Sequence, residues 1–266
     1  VLCNTHIKWE ALLKRADMLD CEFIATGHYA QVRKENERFV ISRGLDLHKD
    51  QSYVLWGLKQ QSLMRTIFPL GQFKKPEIRK MAEDAGFGEL AKKPESYEIC
   101  FIPENDYRAF LKTKVTGLEE RVDGGNFIMK NGGAVVGKHK GYPFYTIGQR
   151  KGLDIALGDA VFVTEIIPET NTVVLGTKED LLEKHLRIRD FNLIKYAALP
   201  DDFQALTKIR YKDPGTMATI NADGNKLDVI FHNAVTGIAP GQSAVMYEGE
   251  DLVGGGFIDR ANVPLS

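Results

Sequence analysis

Cysteine is scarce in this chain, with only Cys3, Cys21 and Cys100 among 266 residues. Three thiols are too few for a disulfide scaffold, and no two of them have the Cys-x-x-Cys spacing of zinc sites. Two distant thiols can still meet in space and pass sulfur, one carrying a persulfide and the other attacking it. The alternative is that Cys3 and Cys100 are small buried apolar residues.

Excess charge and long apolar runs are also missing. The net charge is -1, so any nucleic-acid contact must come from local basic patches. No apolar run is long enough to span a bilayer, and no secretory signal opens the chain. Together with the few cysteines, this favours the reducing cytoplasm. A composition of 43% hydrophobic and 27% charged residues is typical of a globular protein with two or three cores.

The first quarter of the chain alternates between helix and strand patterns. Apolar residues recur at helical spacing over residues 4–19, and residues 23–26 predict a buried parallel strand that ends at Gly27. A further strand is predicted over 38–43, and helices are predicted over 52–60 and 62–67. This order is typical of an α/β domain, which we assign to residues 1–68. Because no strand precedes the first helix and residue 1 is valine, we expect an N-terminal portion to be missing.

The remaining sequence predicts two more domains. Pro76 and Gly86 bracket a helix over 75–85, and another follows over 106–114, so residues 69–125 are predicted to form a small helical domain. Beyond Gly125, turn signals such as Asn131-Gly132 separate short apolar runs, which predicts a C-terminal β-barrel over 126–266. The predicted strands are 127–129, 134–136, 161–167, 172–175, 206–211, 217–220, 227–231, 243–247 and 252–258. The fold class is therefore α/β plus all-β.

Several short motifs occur in a fixed order over nearly the whole chain. They are Leu2-Cys3-Asn4, Ala25-Thr26-Gly27-His28-Tyr29, Lys49-Asp50-Gln51-Ser52-Tyr53, Ile99-Cys100-Phe101, Thr146-Ile147-Gly148-Gln149-Arg150, Arg210-Tyr211 and Pro240-Gly241-Gln242-Ser243. In this order the sequence resembles the tRNA-specific 2-thiouridylases (MnmA/TrmU). The resemblance implies a nucleotide-binding α/β domain of the PP-loop type, a helical adaptor and a tRNA-binding β-barrel.

The chemistry that the resemblance implies is a replacement of O2 of the wobble uridine by sulfur. ATP adenylates that oxygen, and magnesium is expected with the nucleotide. By the same resemblance Cys100 carries a persulfide from a sulfur-relay donor protein, and Cys3 is the second thiol. A Cys3–Cys100 disulfide is then the expected end state, which must be reduced before another turnover.

The resemblance also assigns binding residues. Gly27 lies at a strand end, where the missing side chain lets a nucleotide approach the backbone, or it is a simple strand-to-loop glycine. The residues expected to contact the tRNA anticodon region are His28, Lys49, Asp50, Gln51, Arg210, Tyr211 and Gln242. His28 has the alternative of a hydrogen-bonded loop histidine. Candidates for local basic patches are Lys138, His139 and Lys140, with Arg150 and Lys151, although for the lysines solvated surface charge is the favoured interpretation. No metal ligands are assigned.

One family motif is missing. No Ser-Gly-Gly-x-Asp-Ser phosphate loop occurs in the 266 residues, and Gly254-Gly255-Gly256 lies in a predicted strand and is not a phosphate loop. We therefore expect that the chain alone neither activates ATP nor thiolates tRNA. Two other functions remain open at this point: an RNA-binding module with inert cysteines, and a thiol redox protein that binds no RNA.

Overall fold

The computed structural model describes residues 1–93, 102, 106–155 and 157–259, and these residues form two compact units. The first unit combines residues 1–93 with 184–233 and 240–259. The second contains the described residues between 102 and 183 together with 234–239. Each unit has a hydrophobic core of its own.

The first unit begins with a π-helical segment, Cys3–Trp9, that continues into α1, Glu10–Met18. Trp9 and Ala16 are buried. Three apolar residues of the predicted helix are instead exposed: Ile7, Leu12 and Leu19. The predicted helix is confirmed, but its apolar face is not. A π-helix has more residues per turn than an α-helix, so a spacing of 3.6 does not describe its first part.

A short parallel sheet follows, in which β1, Ile24–Ala25, pairs with β4, Thr66–Ile67. The predicted parallel strand over 23–26 is confirmed for Ile24–Ala25 only, and its predicted burial holds for Ile24 alone. The predicted helix over 62–67 is wrong at its end, because α2 spans only Gln60–Leu63 and the chain then extends into β4. Thr66 and Ile67 are β-branched residues, which favour a strand once a partner is present.

The largest sheet contains a closed barrel of six strands. The strands are β9 (Leu182–Leu193), β10 (Phe203–Lys208), β11 (Thr216–Asp223), β12 (Lys226–Thr236), β13 (Ser243–Glu248) and β14 (Asp251–Ile258). Their order in the sheet is β13-β10-β11-β12-β9-β14, and pairing between β13 and β14 closes the ring. The longest of them, β9, was not predicted, because its many charged residues obscure the alternation in which Leu186 and Ile188 are buried.

An N-terminal hairpin extends this barrel sheet. It consists of β2, Ala30–Glu35, and β3, Arg38–Arg43, and β3 pairs with β14 through Ser42 and Asp251. The Asp251 carboxylate accepts hydrogen bonds from Arg33 (2.9 Å), Ser42 (2.7 Å) and Lys195 (2.8 Å). Burial alone would raise the pKa of Asp251, but these donors hold it well below its usual range.

The hairpin and the barrel share one core with the N-terminal segment. Trp9, Ile24 and Leu55 belong to the same buried cluster as Val245 and Tyr247 of β13. The predicted helix over 52–60 is wrong in type and length, because only a 3₁₀-helix, Ser52–Leu55, forms there, and it contributes residues to this cluster. Residues 1–68 and the barrel strands β9 to β14 are therefore packed as one body, since removing either would expose the apolar side chains of the other.

The glycine triplet lies within β14, where close packing requires it. A Cβ atom on Gly254 would lie 2.4 Å from the carbonyl oxygen of Asn192, and one on Gly255 would lie 2.8 Å from Cγ of Trp56. Such distances are shorter than van der Waals contact. The prediction that this triplet is not a phosphate loop agrees with its position in a central strand.

Among the described residues, four α-helices follow β4 in sequence. The first, α3 (Lys75–Asp84), carries Pro76 in its first turn as predicted, and the Glu77 carboxylate accepts from the Lys74 backbone N–H at 2.6 Å. Asp106 caps the helix Tyr107–Lys114, α5, by accepting from the Ala109 backbone N–H at 2.9 Å. The other two helices are α4 (Gly88–Lys92) and α6 (Leu118–Val122).

The second unit contains a four-stranded sheet in the order β6-β5-β8-β7. These strands are β5 (Gly125–Met129), β6 (Val135–His139), β7 (Phe162–Ile167) and β8 (Thr172–Gly176), with 3₁₀-helices at Tyr142–Phe144, Pro168–Thr170 and Glu179–Leu181. The region predicted as one barrel domain thus contains two separate sheets. His139 is buried against Phe127 and Tyr145, with ring centroids 5.1 and 5.3 Å away, so it is not part of a surface basic patch.

Candidate functional site

Cys3 is a free and partly exposed thiol at the start of the π-helical segment. Its neighbour Asn4 is buried and donates a side-chain hydrogen bond to the Val54 carbonyl at 3.1 Å. At the other end of the segment, the buried Trp9 donates its indole N–H to Thr66 Oγ1 at 2.8 Å. These two bonds hold the backbone next to the thiol and at the far end of the segment, so that Cys3 is presented from an anchored segment.

Cys21 is an exposed free thiol whose sulfur lies 3.7 Å from the Leu19 carbonyl oxygen. Cys100, the residue expected to carry the persulfide, lies outside the described residues. The expected pairing of Cys3 with Cys100 therefore stays a prediction.

Gly27 lies just beyond the carboxyl end of β1 and is exposed. Its backbone does not adopt a positive φ. A Cβ atom placed on it would meet only Leu70 Cδ1, at the ordinary contact distance of 3.7 Å. The fold of this chain therefore does not itself require glycine at position 27, and the space beside the backbone is open to a ligand.

His28 is buried, in contrast to the neighbouring glycine. Its ring lies 5.3 Å from the Trp9 ring and 6.1 Å from the Phe68 ring, and Nδ1 is 3.0 Å from Thr26 Oγ1. Burial lowers the pKa of His28 to about 4, and the nearby Lys8 charge acts in the same direction. His28 is therefore a neutral, packed histidine, and it links the Cys3 segment to the strand end at Gly27.

This burial predicts an acid-sensitive fold. The unfolded chain takes up the His28 proton near the ordinary pKa of about 6.5, whereas the folded chain takes it up only near pH 4. The unfolded state therefore binds more protons in this window, and stability falls as the pH falls through it, by up to about 3 kcal/mol. Replacement by an apolar ring, His28→Phe, is expected to remove this part of the pH dependence.

The measurement is urea unfolding at several pH values between about 6.5 and about 4. Fluorescence reports the first unit alone, because Trp9 and Trp56 are the two tryptophans of the chain. The control is His48→Phe, which changes an exposed histidine of the same unit. If the free energy of unfolding changes equally with pH in wild type and His28→Phe, burial does not selectively destabilise the charged form of the His28 imidazole.

The segment 49–51 is held by an internal hydrogen-bond network. The Asp50 carboxylate accepts from the backbone N–H groups of Gly44 and Ser52, each at 3.1 Å, and from the Ser52 hydroxyl at 2.8 Å. Gln51 and Tyr29 bond reciprocally: the Gln51 N–H donates to the Tyr29 carbonyl, and the Tyr29 N–H donates to Gln51 Oε1. Asp50 is thus occupied in shaping the loop, while Lys49 is half-buried and already has an interaction partner.

Tyr211 brings a distant segment to this loop. Its hydroxyl donates to the Asp50 carbonyl at 2.7 Å, and its ring packs edge-on against Tyr53 at 5.9 Å. About two fifths of Tyr211 is exposed, so one part of the ring stays open to solvent. Arg210, beside it, is exposed and has an interaction partner.

Gln242 lies in the same neighbourhood because Ser243, the next residue, is hydrogen-bonded to two aromatic side chains there. The Tyr53 hydroxyl donates to the Ser243 carbonyl at 2.7 Å, and the Trp56 indole N–H donates to Ser243 Oγ at 3.0 Å. Gln242 itself is half-buried. Three predicted tRNA-contacting segments are therefore assembled around Tyr53, although 190 residues separate Tyr53 from Ser243. His28 is the predicted contact that faces the core instead.

Sequence reasoning missed two basic residues of this neighbourhood, Arg43 and Lys208. Both lie against the ring of Tyr247. Nothing in their spacing distinguishes them from ordinary surface charges, because they meet only when β3 and β10 are brought to the same tyrosine.

As for metals, the described residues contain no group of three or more His, Cys, Asp or Glu side chains that could hold an ion.

Comparison with known protein families divides the chain into three parts. Residues 1–104 match the family model of the tRNA methyl transferase HUP domain, residues 109–177 the tRNA methyl transferase PRC-barrel domain, and residues 183–258 the aminomethyltransferase beta-barrel domain. Within the described parts of the chain, no helix is both long and apolar enough to cross a membrane.

Individual relatives extend this comparison. The chain is 61% identical over 259 residues to the tRNA-specific 2-thiouridylase MnmA of Cytophaga hutchinsonii, covering 97% of this chain and 70% of that protein. It is 58% identical to the proteins of the same name from Amoebophilus asiaticus and Salinibacter ruber, again over 97% of this chain and over 69% and 68% of those proteins.

A HUP-type α/β region, a PRC-barrel domain and a closed C-terminal β-barrel define a transferase of the RNA-modifying class. Within that class, the high sequence identity to the three MnmA proteins identifies the family. The chain belongs to the tRNA-specific 2-thiouridylase family of sulfurtransferases.

Proposed function

We propose that this chain carries the sulfur-transfer and tRNA-binding parts of an ATP-dependent tRNA uridine 2-sulfurtransferase. Its substrate is the wobble uridine in the anticodon region of tRNA. The observation that carries the proposal is the assembly of Lys49–Gln51, Arg210–Tyr211 and Gln242 around Tyr53, in a family whose relatives bear the name tRNA-specific 2-thiouridylase. Its place in the cell is proposed to be the cytoplasm.

The binding surface combines a ring and a cation with hydrogen-bonding groups. The exposed part of Tyr211 offers an aromatic face on which a base can stack, and Arg210 offers a guanidinium to a phosphate. Gln242 can hydrogen-bond a base edge. Since the reacting atom of uridine lies within the anticodon stack, the base must leave that stack to reach a thiol.

The sulfur step uses the two family cysteines. A sulfur-relay donor transfers sulfur to Cys100, which becomes a persulfide. The Cys3 thiolate then attacks the Cys100 sulfur, the Cys3–Cys100 bond forms, and the S–S bond of the persulfide breaks to release hydrosulfide. The partial exposure of the free Cys3 thiol on an anchored segment supports this role.

ATP supplies the leaving group at the base. Adenylation of uridine O2 releases pyrophosphate, and attack of hydrosulfide at C2 then expels AMP together with that oxygen. The open space beside the Gly27 backbone, at the end of β1, supports a contact between this backbone and the nucleotide. Magnesium would accompany the phosphates, and none of the described residues is assigned to it. That the chain alone does not thiolate tRNA stays a prediction.

The experiment is peptide mass spectrometry after incubation with a small-molecule persulfide donor, which requires neither ATP nor tRNA. The expected result is one added sulfur atom on the Cys100 peptide, followed by a Cys3–Cys100 disulfide. A binding assay with an unmodified tRNA transcript is run beside it. Binding of tRNA with unreactive thiols would favour an RNA-binding module, and disulfide formation without tRNA binding would favour a redox protein.

A further inference from the structure

Two cations contact the ring of one buried tyrosine in the first unit. The Arg43 guanidinium carbon lies 4.4 Å from the centre of the Tyr247 ring, and Lys208 Nζ lies 5.9 Å from it. Tyr247 is 1% exposed, and its hydroxyl is 2.9 Å from the Ser52 hydroxyl. Both cations are partly accessible: the Arg43 side chain is 16% exposed, and Lys208 is half-buried.

These cations are poorly matched by acids. Within the described part of the chain, the only ion pair of Arg43 is with Glu250 at 3.8 Å, and Glu250 is largely exposed. Arg43 Nε is buried without a hydrogen-bond partner. Among the described residues, the Lys208 side chain makes no hydrogen bond or ion pair. Its contact with the Tyr247 ring and the charges of Asp50 and Asp213, neither of which is within ion-pair distance, offset only part of its loss of hydration.

The two carboxylates whose charges act on Lys208, those of Asp50 and Asp213, accept hydrogen bonds from other groups. Asp50 accepts from Gly44 and Ser52, as described above. Asp213 accepts from the backbone N–H groups of Ile209 at 2.9 Å and Gly215 at 3.1 Å. Burial lowers the pKa of Lys208, and the Arg43 charge acts in the same direction. An anion that contacts both Arg43 and Lys208 would offset the burial of the Lys208 charge and its repulsion by Arg43.

The cluster also borders the surface assembled around Tyr53. Arg43 ends β3, which leads into the loop with Lys49, and Lys208 ends β10, two residues before Arg210. We propose that Arg43 and Lys208 together bind one backbone phosphate of the tRNA. This site rests on the proposed function, and it extends the tRNA surface by a contact that recognises charge and not sequence.

The test compares Lys208→Met with Lys184→Met, which removes an exposed lysine from β9 of the same unit. Binding of an unmodified tRNA transcript is measured by fluorescence anisotropy over a series of salt concentrations. Lys208→Met is expected to weaken binding about three- to tenfold and to reduce the slope of log Kd against log salt by roughly 0.7 to 0.9, as loss of one phosphate contact requires. Lys184→Met is expected to behave as wild type.

Thermal unfolding separates this role from a structural one. A half-buried lysine without an ion pair does not stabilise the fold, so Lys208→Met is expected to keep or raise the Tm. A lowered Tm with unchanged tRNA affinity would assign Lys208 to packing and overturn the phosphate site. Equal binding by Lys208→Met and Lys184→Met would overturn it as well.

A second probe tests the phosphate site at Arg43 and Lys208 separately from the proposed sulfurtransferase function. Inorganic phosphate is titrated into the wild-type chain while the side-chain N–H signal of Arg43 is followed by NMR, with Arg43→Lys used to assign that signal. A saturable shift that weakens in Lys208→Met supports the anion site even if the chain binds no tRNA, in which case only the proposed function fails. An unmoved Arg43 signal would overturn the site even if tRNA binds.

Discussion

Cys3→Ser is expected to abolish hydrosulfide release from the persulfidated chain. A serine hydroxyl is not a thiolate and cannot attack the Cys100 persulfide, so the added sulfur should stay on Cys100. The substitution should leave the fold intact, because Cys3 is partly exposed and the anchoring bonds of its segment come from Asn4 and Trp9. Released hydrosulfide is measured by trapping with a thiol-reactive fluorophore, and the trapped persulfide by mass spectrometry.

Cys21→Ser is the matched control. Cys21 is also a free thiol of the first unit, and it is more exposed than Cys3, so general thiol reactivity would act there at least as strongly. Release at the wild-type rate is expected for Cys21→Ser. If Cys21→Ser blocks release and Cys3→Ser does not, the second thiol is Cys21, and the role that the family resemblance gives to Cys3 is wrong.

Gly71→Ala is expected to destabilise the first unit by about 3 kcal/mol or more. A Cβ atom on Gly71 would lie 2.0 Å from the carbonyl oxygen and 2.8 Å from the carbonyl carbon of Ala30. Ala30 is fully buried at the start of β2 and is paired with Arg43, so its backbone cannot move away without breaking the hairpin. The measurement is urea unfolding followed by tryptophan fluorescence.

Gly27→Ala is the matched glycine substitution. Its new methyl group would meet only Leu70, at 3.7 Å, so a change within about 0.5 kcal/mol is expected. The pair therefore separates a glycine that the fold needs from one that it does not. Similar unfolding midpoints for Gly71→Ala and Gly27→Ala would contradict the close approach of Gly71 to Ala30.

Much of the local structure could be predicted from sequence signals within about ten residues. Pro76 and Gly86 bracket a helix that the structure shows at Lys75–Asp84. The apolar run at 243–247 corresponds to β13, and the run at 252–258 corresponds to β14. The end of the predicted helix at 62–67 was wrong because Thr66 and Ile67 take their conformation from pairing with β1, which lies far earlier in the chain.

The candidate site was only partly accessible to the same reasoning. Motif order singled out Tyr211 and Gln242, but the meeting of their segments around Tyr53 depends on closure of the barrel. From its motif, His28 is expected at the RNA surface. Its ring is instead buried against Trp9 and Phe68. A contact of His28 with RNA stays a prediction. A histidine in a loop motif has the same appearance in sequence whether it faces solvent or the core.

The sulfur-transfer roles of Cys3 and Cys100 come from the family resemblance and stay predictions. The family and the strand-rich character of the second half were accessible from the sequence alone. These follow from residue identities and short-range spacing, which survive in the unfolded chain. Only the tertiary structure decided that the N-terminal hairpin joins the barrel through Ser42 and Asp251, and that Arg43 and Lys208 share the Tyr247 ring. Ser42 and Asp251 are 209 positions apart, and such pairings are selected by burial and strand closure, which local sequence patterns do not encode.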